Sequence, residues 1–247
     1  MLSHSINDGS VGGGEANSPE NAACRPCDRG PSVFDTRHNF TATGIYDLPI
    51  GPGRRYWAIA GFLGKVLEGW SLSGIGLAHS GHPLTVLISR DSSQIPDGND
   101  AADQRPDLVP GVPVIPRGQN RNNWININAF AAPPLTRFGD ALRGIIRAPK
   151  VWQADMALTK RTKITEKVDL EFRAEAFNIF NRTQLGDPGE LDILAGPPTP
   201  PPGPGLFSGF GVITTSVNFN NNNDSFSSAN TGTGLPRQVE FMLRLTF

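Results

Sequence analysis

The last eleven residues, Arg237 to Phe247, alternate apolar and polar and stop on an aromatic. Val239, Phe241, Leu243, Leu245 and Phe247 share one face, while Gln238, Glu240, Arg244 and Thr246 share the other, with Met242 among them. Side chains alternate across a strand, so the pattern predicts a strand with one apolar wall and one wet wall. About ten residues is the length of a tilted strand crossing the hydrocarbon core of a bilayer. A soluble chain gains little by ending on a bare apolar strand, because termini fray into solvent. The feature points to a membrane wall.

Composition narrows the classes that compete with this reading. The 247 residues carry a formal net charge of -1, from 22 basic and 23 acidic side chains, so no electrostatic footprint for nucleic acid is present. The 28 glycines and 22 prolines favour turns and long loops over helices. No run approaches ~20 apolar residues, which excludes a transmembrane helix but not a barrel, whose strands hide polar residues in alternation. The first thirty residues lack the charged start and apolar centre of a secretory signal. For a protein working beyond the cytoplasm, that predicts a chain continuing from a missing N-terminal part.

Other stretches repeat the two-walled pattern. Within 37–48, Phe40, Ala42, Gly44, Tyr46 and Leu48 oppose Asn39, Thr41, Thr43 and Asp47, with Ile45 as the exception. A Gly/Pro turn from Pro49 breaks that strand, and 56–67 reads as either a short helix or a strand edge. From Gly69, Trp70, Leu72, Gly74, Gly76 and Ala78 share a face, and the strand is expected to run on past a kink at Pro83 to Ile88. Residues 91–150 read as a long polar connection. Trp152, Ala154, Met156 and Leu158 then alternate with Gln153, Asp155, Ala157 and Thr159. A turn at 162–166 leads to Val168, Leu170, Phe172, Ala174 and Ala176, alternating with Asp169, Glu171, Arg173 and Glu175. Those four charges would each cost several kcal/mol if buried unpaired, so they are expected to face a water-filled lumen. A second long connection, 181–236, holds the stiff proline run 196–205 and a short β excursion at 210–217.

Loop lengths assign direction. Membrane barrels have short periplasmic turns and long outer loops, so the strands run down, up, down, up, down and the C-terminus is periplasmic. The expected fold is all-β: an antiparallel transmembrane β-barrel fragment of about five to seven strands, forming an open curved sheet. Long, disordered extracellular loops rich in Pro, Gly and Asn join the strands. Residues 1–36 are expected to be loop and 37–247 the C-terminal part of an outer-membrane barrel.

Several stretches resemble the C-terminal barrel of TonB-dependent outer-membrane receptors of the Oar-like group, which carry a carboxypeptidase-regulatory-like domain at the N-terminus. They include Phe34–Phe40, Tyr46–Gly51, Gly69–Gly74, Ser80–Val86, Arg105–Leu108, Trp124–Phe130, Phe172–Asn181, Phe210–Thr214 and Pro236–Phe241. The sequence Phe-Arg-Ala-Glu-Ala-Phe-Asn-Ile-Phe-Asn at 172–181 is the most specific of them. The resemblance implies energy-coupled uptake of a bulky nutrient across the outer membrane. It further implies that Val239, Phe241, Leu243, Leu245 and Phe247 form the signal read by the barrel-assembly machinery, through strand pairing of the β-augmentation kind. The expected partners are therefore outer-membrane lipid, that machinery, and the TonB system through a plug missing here. One departure is Arg143-Gly-Ile-Ile-Arg-Ala-Pro149, where the family has an Arg-Gly-Pro-Gly-like turn. A family barrel has about 22 strands, so this segment alone could not enclose a pore or couple to TonB.

No enzyme is expected, and no cofactor or metal. His79, Ser80 and His82 are adjacent but no Gly-x-Ser-x-Gly elbow accompanies them. Asp97 to Asp100 is only part of a calcium loop. Cys24 and Cys27 read as a local disulfide, since a zinc site would need two more ligands at standard spacing. The competing fold is a secreted or surface β-sandwich acting as a structural or adhesion module, which the charged row at 169–175 opposes.

Overall fold

The computed structural model describes residues 2, 4–7, 20–21, 24–52, 61–90, 104–135, 137–203, 205–216 and 236–247. The calcium-like stretch 97–100 and the Asn cluster 218–223 lie outside these. Five strands form one sheet: β1 (Asn39–Asp47), β2 (Trp70–His79), β3 (Val151–Thr165), β4 (Val168–Phe177) and β5 (Gln238–Thr246), in spatial order β5-β4-β3-β2-β1. β4 pairs antiparallel with both β3 and β5. Bonds from the Leu48 amide to the Trp70 carbonyl and from the Arg161 amide to the Gly69 carbonyl, both 2.9 Å, set the registers of β1 and β3 on β2. Adjacent strands are thus chain neighbours, with a tight turn between β3 and β4 and long excursions between β2 and β3 and between β4 and β5. The sheet does not close on itself. The one α-helix among the described residues, α1 (Gly61–Leu67), occupies the stretch that the sequence left open between helix and strand edge.

The chain divides into two compact units. One contains the sheet and α1: Phe40–Ala78, Trp152–Thr183 and Thr233–Phe247. The other gathers Met1–Asn39, His79–Val151 and Gln184–Gly232. This second unit corrects the expectation of disordered loops. Leu84, Val86, Ile125, Ala129, Phe130, Ala141, Ile146, Ala148 and Phe210 form a buried cluster, with the Phe130 and Phe210 rings edge to face at 5.9 Å. Its apolar residues are spaced irregularly, so no period reveals the core.

Three further expectations change. The rising strand does not continue to Ile88: β2 stops at His79, and Pro83–Leu84 pairs with Ile146–Arg147 in a separate two-stranded sheet. Proline offers no amide to a central ladder, which accounts for the break. The hairpin turn is tighter than the 162–166 predicted, because β3 runs to Thr165 and only Glu166 and Lys167 intervene. At 208–216 there is no strand, only isolated bridges of Thr199 with Ser208 and Leu185 with Ser216. There Gly211 takes a positive φ of 69° with Ile125 so close that an added Cβ would sit 3.0 Å from the Ile125 Cβ. Only glycine fits that bend without strain.

Charge binds the loop unit as much as its apolar core does. Arg105, 5 % exposed, donates to Asp28 at 2.6 Å and to Glu20 at 2.5 Å. The Glu20 Oε1 also accepts the Arg105 amide at 2.9 Å. Removing one member of a buried ionic group strands its partner, at a cost of roughly 3–5 kcal/mol. Cys24 and Cys27 are joined by a disulfide that flanks the 3-10 turn Arg25–Asp28 carrying this acid. Burial raises the Glu20 carboxyl above its ordinary range, outweighing the Arg105 contacts.

At Asp35 the balance reverses. Burial pushes its carboxyl up, but Arg147 at 2.7 Å, the Ser5 amide at 2.9 Å and His4 at 3.2 Å hold it below the usual value. A carboxyl lowered by folding contributes stability above its unfolded value, 3.8, and loses it as pH falls through the lower folded value. Glu20, raised, contributes only in acid and opposes folding as pH rises through its folded value. Replacing Asp35→Asn should therefore flatten the loss of stability as pH falls below the ordinary carboxylate value of 3.8, measured by denaturant unfolding across acid pH; an unchanged slope would contradict the assignment.

Candidate functional site

The sheet is the site, because its two faces are chemically opposite. The registers put Phe40, Ala42, Gly44 and Tyr46 of β1, and Leu48 just past its end, beside Ala78, Gly76, Gly74, Leu72 and Trp70 of β2. Trp152, Ala154, Met156 and Leu158 of β3 continue that face, followed by Leu170, Phe172, Ala174 and Ala176 of β4. Val239, Phe241, Leu243 and Leu245 of β5 pair with those β4 residues. On the outer strands this face is bare, with Phe40 64 % exposed, Phe241 73 %, Leu243 70 % and Phe247 95 %, while on β2, β3 and β4 it is half-buried. Small residues occupy its middle and rings its ends, with Trp152 packed on Phe180 at 5.6 Å and Phe172 stacked on Phe241 at 6.3 Å. From Trp152 to Lys160 the strand advances about 26 Å at ~3.3 Å per residue, close to the ~25 Å apolar band of a membrane barrel.

The reverse face carries a charge ladder across β3, β4 and β5, while its β1 and β2 part holds Ile45, Ile75 and Leu77. Glu171 lies between Arg161 and Arg244 in register, and its carboxylate accepts from Arg161 Nε at 3.0 Å. Asp169 stands opposite Lys163, and Arg173 forms an ion pair with Glu175. Opposite charges across a ladder stabilise it modestly, by about 0.2–1 kcal/mol each. One pair is mismatched: Glu175 faces Glu240. All four acidic and basic residues expected on one face of β4 thus share that face.

The motif at 172–181 ends β4 in a left-handed turn that sequence patterning could not show. Asn178 and Asn181 have φ of 47° and 49°, a region where Asn is tolerated because its side chain bonds locally. The buried Asn178 donates from Nδ2 to the Arg182 carbonyl at 2.9 Å and accepts the Arg182 amide at 3.0 Å. Its own amide donates to Asp155 on β3 at 2.7 Å, and the Arg237 amide donates to Asn181 at 3.1 Å. The turn therefore ties the ends of three strands, and Arg182 covers the Trp152 ring at 4.6 Å.

Lys160 is the second residue the sequence reading missed. It stands on the apolar face one position past Leu158, with its Nζ 5.2 Å from the Trp70 ring centroid. Nζ donates to the carbonyls of Val66 at 2.6 Å, Glu68 at 2.9 Å and Lys65 at 3.3 Å. The signal available was a lone lysine breaking an apolar alternation. Beside these contacts Gly69 has φ 74°, and a Cβ there would meet the Arg161 carbonyl at 2.1 Å.

The adjacent His79, Ser80 and His82 do not assemble into a triad. The Ser80 hydroxyl accepts the His38 amide at 3.2 Å, His79 donates to the Ser80 carbonyl at 3.1 Å, and His82 pairs with Asp187 at 2.9 Å. Among the described residues, no group of three or more His, Cys, Asp or Glu is placed to hold a metal.

Residues 1–239 match the family described as an outer membrane beta barrel domain. The chain belongs to that family. No curated protein and no solved structure matches it. The barrel domain is accordingly a bacterial outer-membrane protein, and no helix among its described residues is long and apolar enough to cross a membrane. Strands do the crossing.

Membership and geometry together separate the two walls by mutation. Met156→Arg, midway along the apolar face between Trp152 and Lys160, should cost roughly 2–4 kcal/mol and reduce recovery in the outer membrane. Glu240→Arg, on the ladder face, replaces a like-charge pair with an opposite pair and should be neutral or stabilising by about 0.2–1 kcal/mol. Heat-modifiable gel mobility and membrane fractionation read both; equal losses would contradict the assignment of the faces.

Proposed function

We propose that the barrel domain is the C-terminal part of a TonB-dependent outer-membrane receptor of the Oar-like type, which takes up a bulky nutrient. The single observation that carries this reading is the two-walled sheet, apolar on one side and laddered with charge on the other. Strands of that kind need lipid against one wall and water against the other. The motifs at 34–40, 46–51, 69–74 and above all 172–181 supply the finer resemblance. Asp169, Glu171, Arg173 and Glu175 then face the lumen, and the C-terminus is periplasmic, because the two-residue turn 166–167 lies at the end where β5 finishes, although the connection 48–69 at that end is long for a periplasmic turn. The open edges of β1 and β5 support a larger barrel, since unpaired backbone in hydrocarbon costs several kcal/mol per group. The domain acts in transport and not as an enzyme.

Phe247 and the apolar row before it act in this reading as the signal for barrel assembly. The β5 backbone is a free sheet edge with a terminal ring, the form that strand addition uses. The β-sandwich alternative needs its apolar face covered, and Phe241 and Leu243 are bare.

One experiment on the full-length product tests the proposal. Its coding sequence should carry an in-frame plug domain and TonB box upstream, and the periplasmic domain of TonB should capture it. Deletion of Phe247 should lower its outer-membrane yield while leaving synthesis unchanged. A full-length product without plug or TonB capture would contradict the receptor assignment, and an undiminished yield would contradict the assembly role.

A further inference from the structure

Helix α1 is seven residues long, too short to persist in water on its own. Phe62 is 81 % exposed, Leu63 64 % and Val66 43 %. At 100° per residue these three fall within a stripe about 100° wide, the width of an amphipathic helix's buried face. Here that stripe is uncovered. The opposite side is pinned: Gly64 is buried, and the Trp70 indole donates to the Val66 carbonyl at 3.1 Å.

The pinning groups come from the apolar wall of the sheet. Trp70 and Lys160 belong to the same face as Leu72 and Leu158, at the end that carries the turn 166–167. A lysine ending an apolar row keeps its stem along the greasy surface and sends its ammonium to the polar boundary. Lys160 does so by closing on the Lys65 and Val66 carbonyls in the last turn of α1, groups that a helix leaves without internal partners, and on the Glu68 carbonyl just beyond it. A cation also suits the negative end of the helix. The cation and indole therefore mark the level where hydrocarbon ends, and α1 is fixed at that level with its apolar stripe outward.

We propose that α1 is an interfacial anchor, its Phe62/Leu63/Val66 stripe seated in the phospholipid leaflet that borders the end of the barrel carrying the turn 166–167. The inference rests on the membrane reading of the sheet and extends it from strands to a helix. What selects lipid over a protein partner is continuity: the stripe adjoins a wall already assigned to the bilayer, through residues of that wall. Lys65, on the helix flank, lies at headgroup depth, as in helices that lie in the interfacial plane.

Spin labels measure the depth directly. The full chain in outer membranes, with Cys24 and Cys27 oxidised, would carry one nitroxide at Phe62→Cys, Lys65→Cys or Leu158→Cys. Collision rates with oxygen and with a water-soluble nickel complex are compared. The anchor predicts an oxygen-to-nickel ratio severalfold higher at position 62 than at 65, approaching that at 158. Equal nickel access at 62 and 65 would overturn the anchor while leaving 158 lipid-like. A label at 62 shielded from both reagents would overturn it in favour of a protein partner. Nickel access at 158 as well would overturn the membrane reading on which the anchor rests.

Discussion

Inside a bilayer no water is available to the peptide backbone, so each amide and carbonyl must find its partner in the protein. This constraint accounts for what is regular in the sheet. Ladder bonds occupy the backbone of β3 and β4 on both sides, and the side chains are left to answer to the solvent each face meets. Glycine and alanine in the middle of the apolar wall, with Tyr46, Trp70, Trp152 and Phe180 toward its ends, reproduce the layering of a bilayer, whose interfaces favour amphipathic rings. The charge ladder is the complement. Its pairs, Arg161 with Glu171 and Lys163 with Asp169, are weak in water, and their worth is solubility of the wall rather than stability.

The loop unit follows different physics. Buried and half-buried arginines hold it together beside its apolar core. Arg105 joins Glu20 and Asp28 across distant segments, Arg147 holds Asp35, and Arg90 donates to Gln104 at 3.0 Å and to the Pro134 carbonyl at 3.3 Å. Guanidinium groups suit this role because their several donors can satisfy carboxylates and stray carbonyls together. The disulfide adds a local tie beside Asp28.

What the sequence made legible follows from these two regimes. The strands have period two, and their alternation located all five, overrunning the far end of β2, and put Asp169, Glu171, Arg173 and Glu175 on one face of β4. Pro83 was visible as a break, yet whether the strand resumed beyond it depended on Ile146 and Arg147, more than sixty residues away. The loop core has no period, and Val86, Ile125 and Phe210 come together only through long-range contacts. Asn178 and Asn181 stood out within a family motif, but their left-handed turn is a backbone property that residue type alone does not dictate. Lys160 went unnoticed beyond the apolar row, because its role as the cap of a helix depends on α1, which no strand period reveals.

The account stands on one claim, that the alternation along β5 is an alternation between lipid and water. Single cysteines placed at successive positions from Gln238 to Thr246 in the membrane-embedded protein, with Cys24 and Cys27 oxidised, can be titrated with a charged maleimide. Labelling should rise at 238, 240, 242, 244 and 246 and fall at 239, 241, 243 and 245. Uniform labelling along the strand, or the opposite phase, would contradict it.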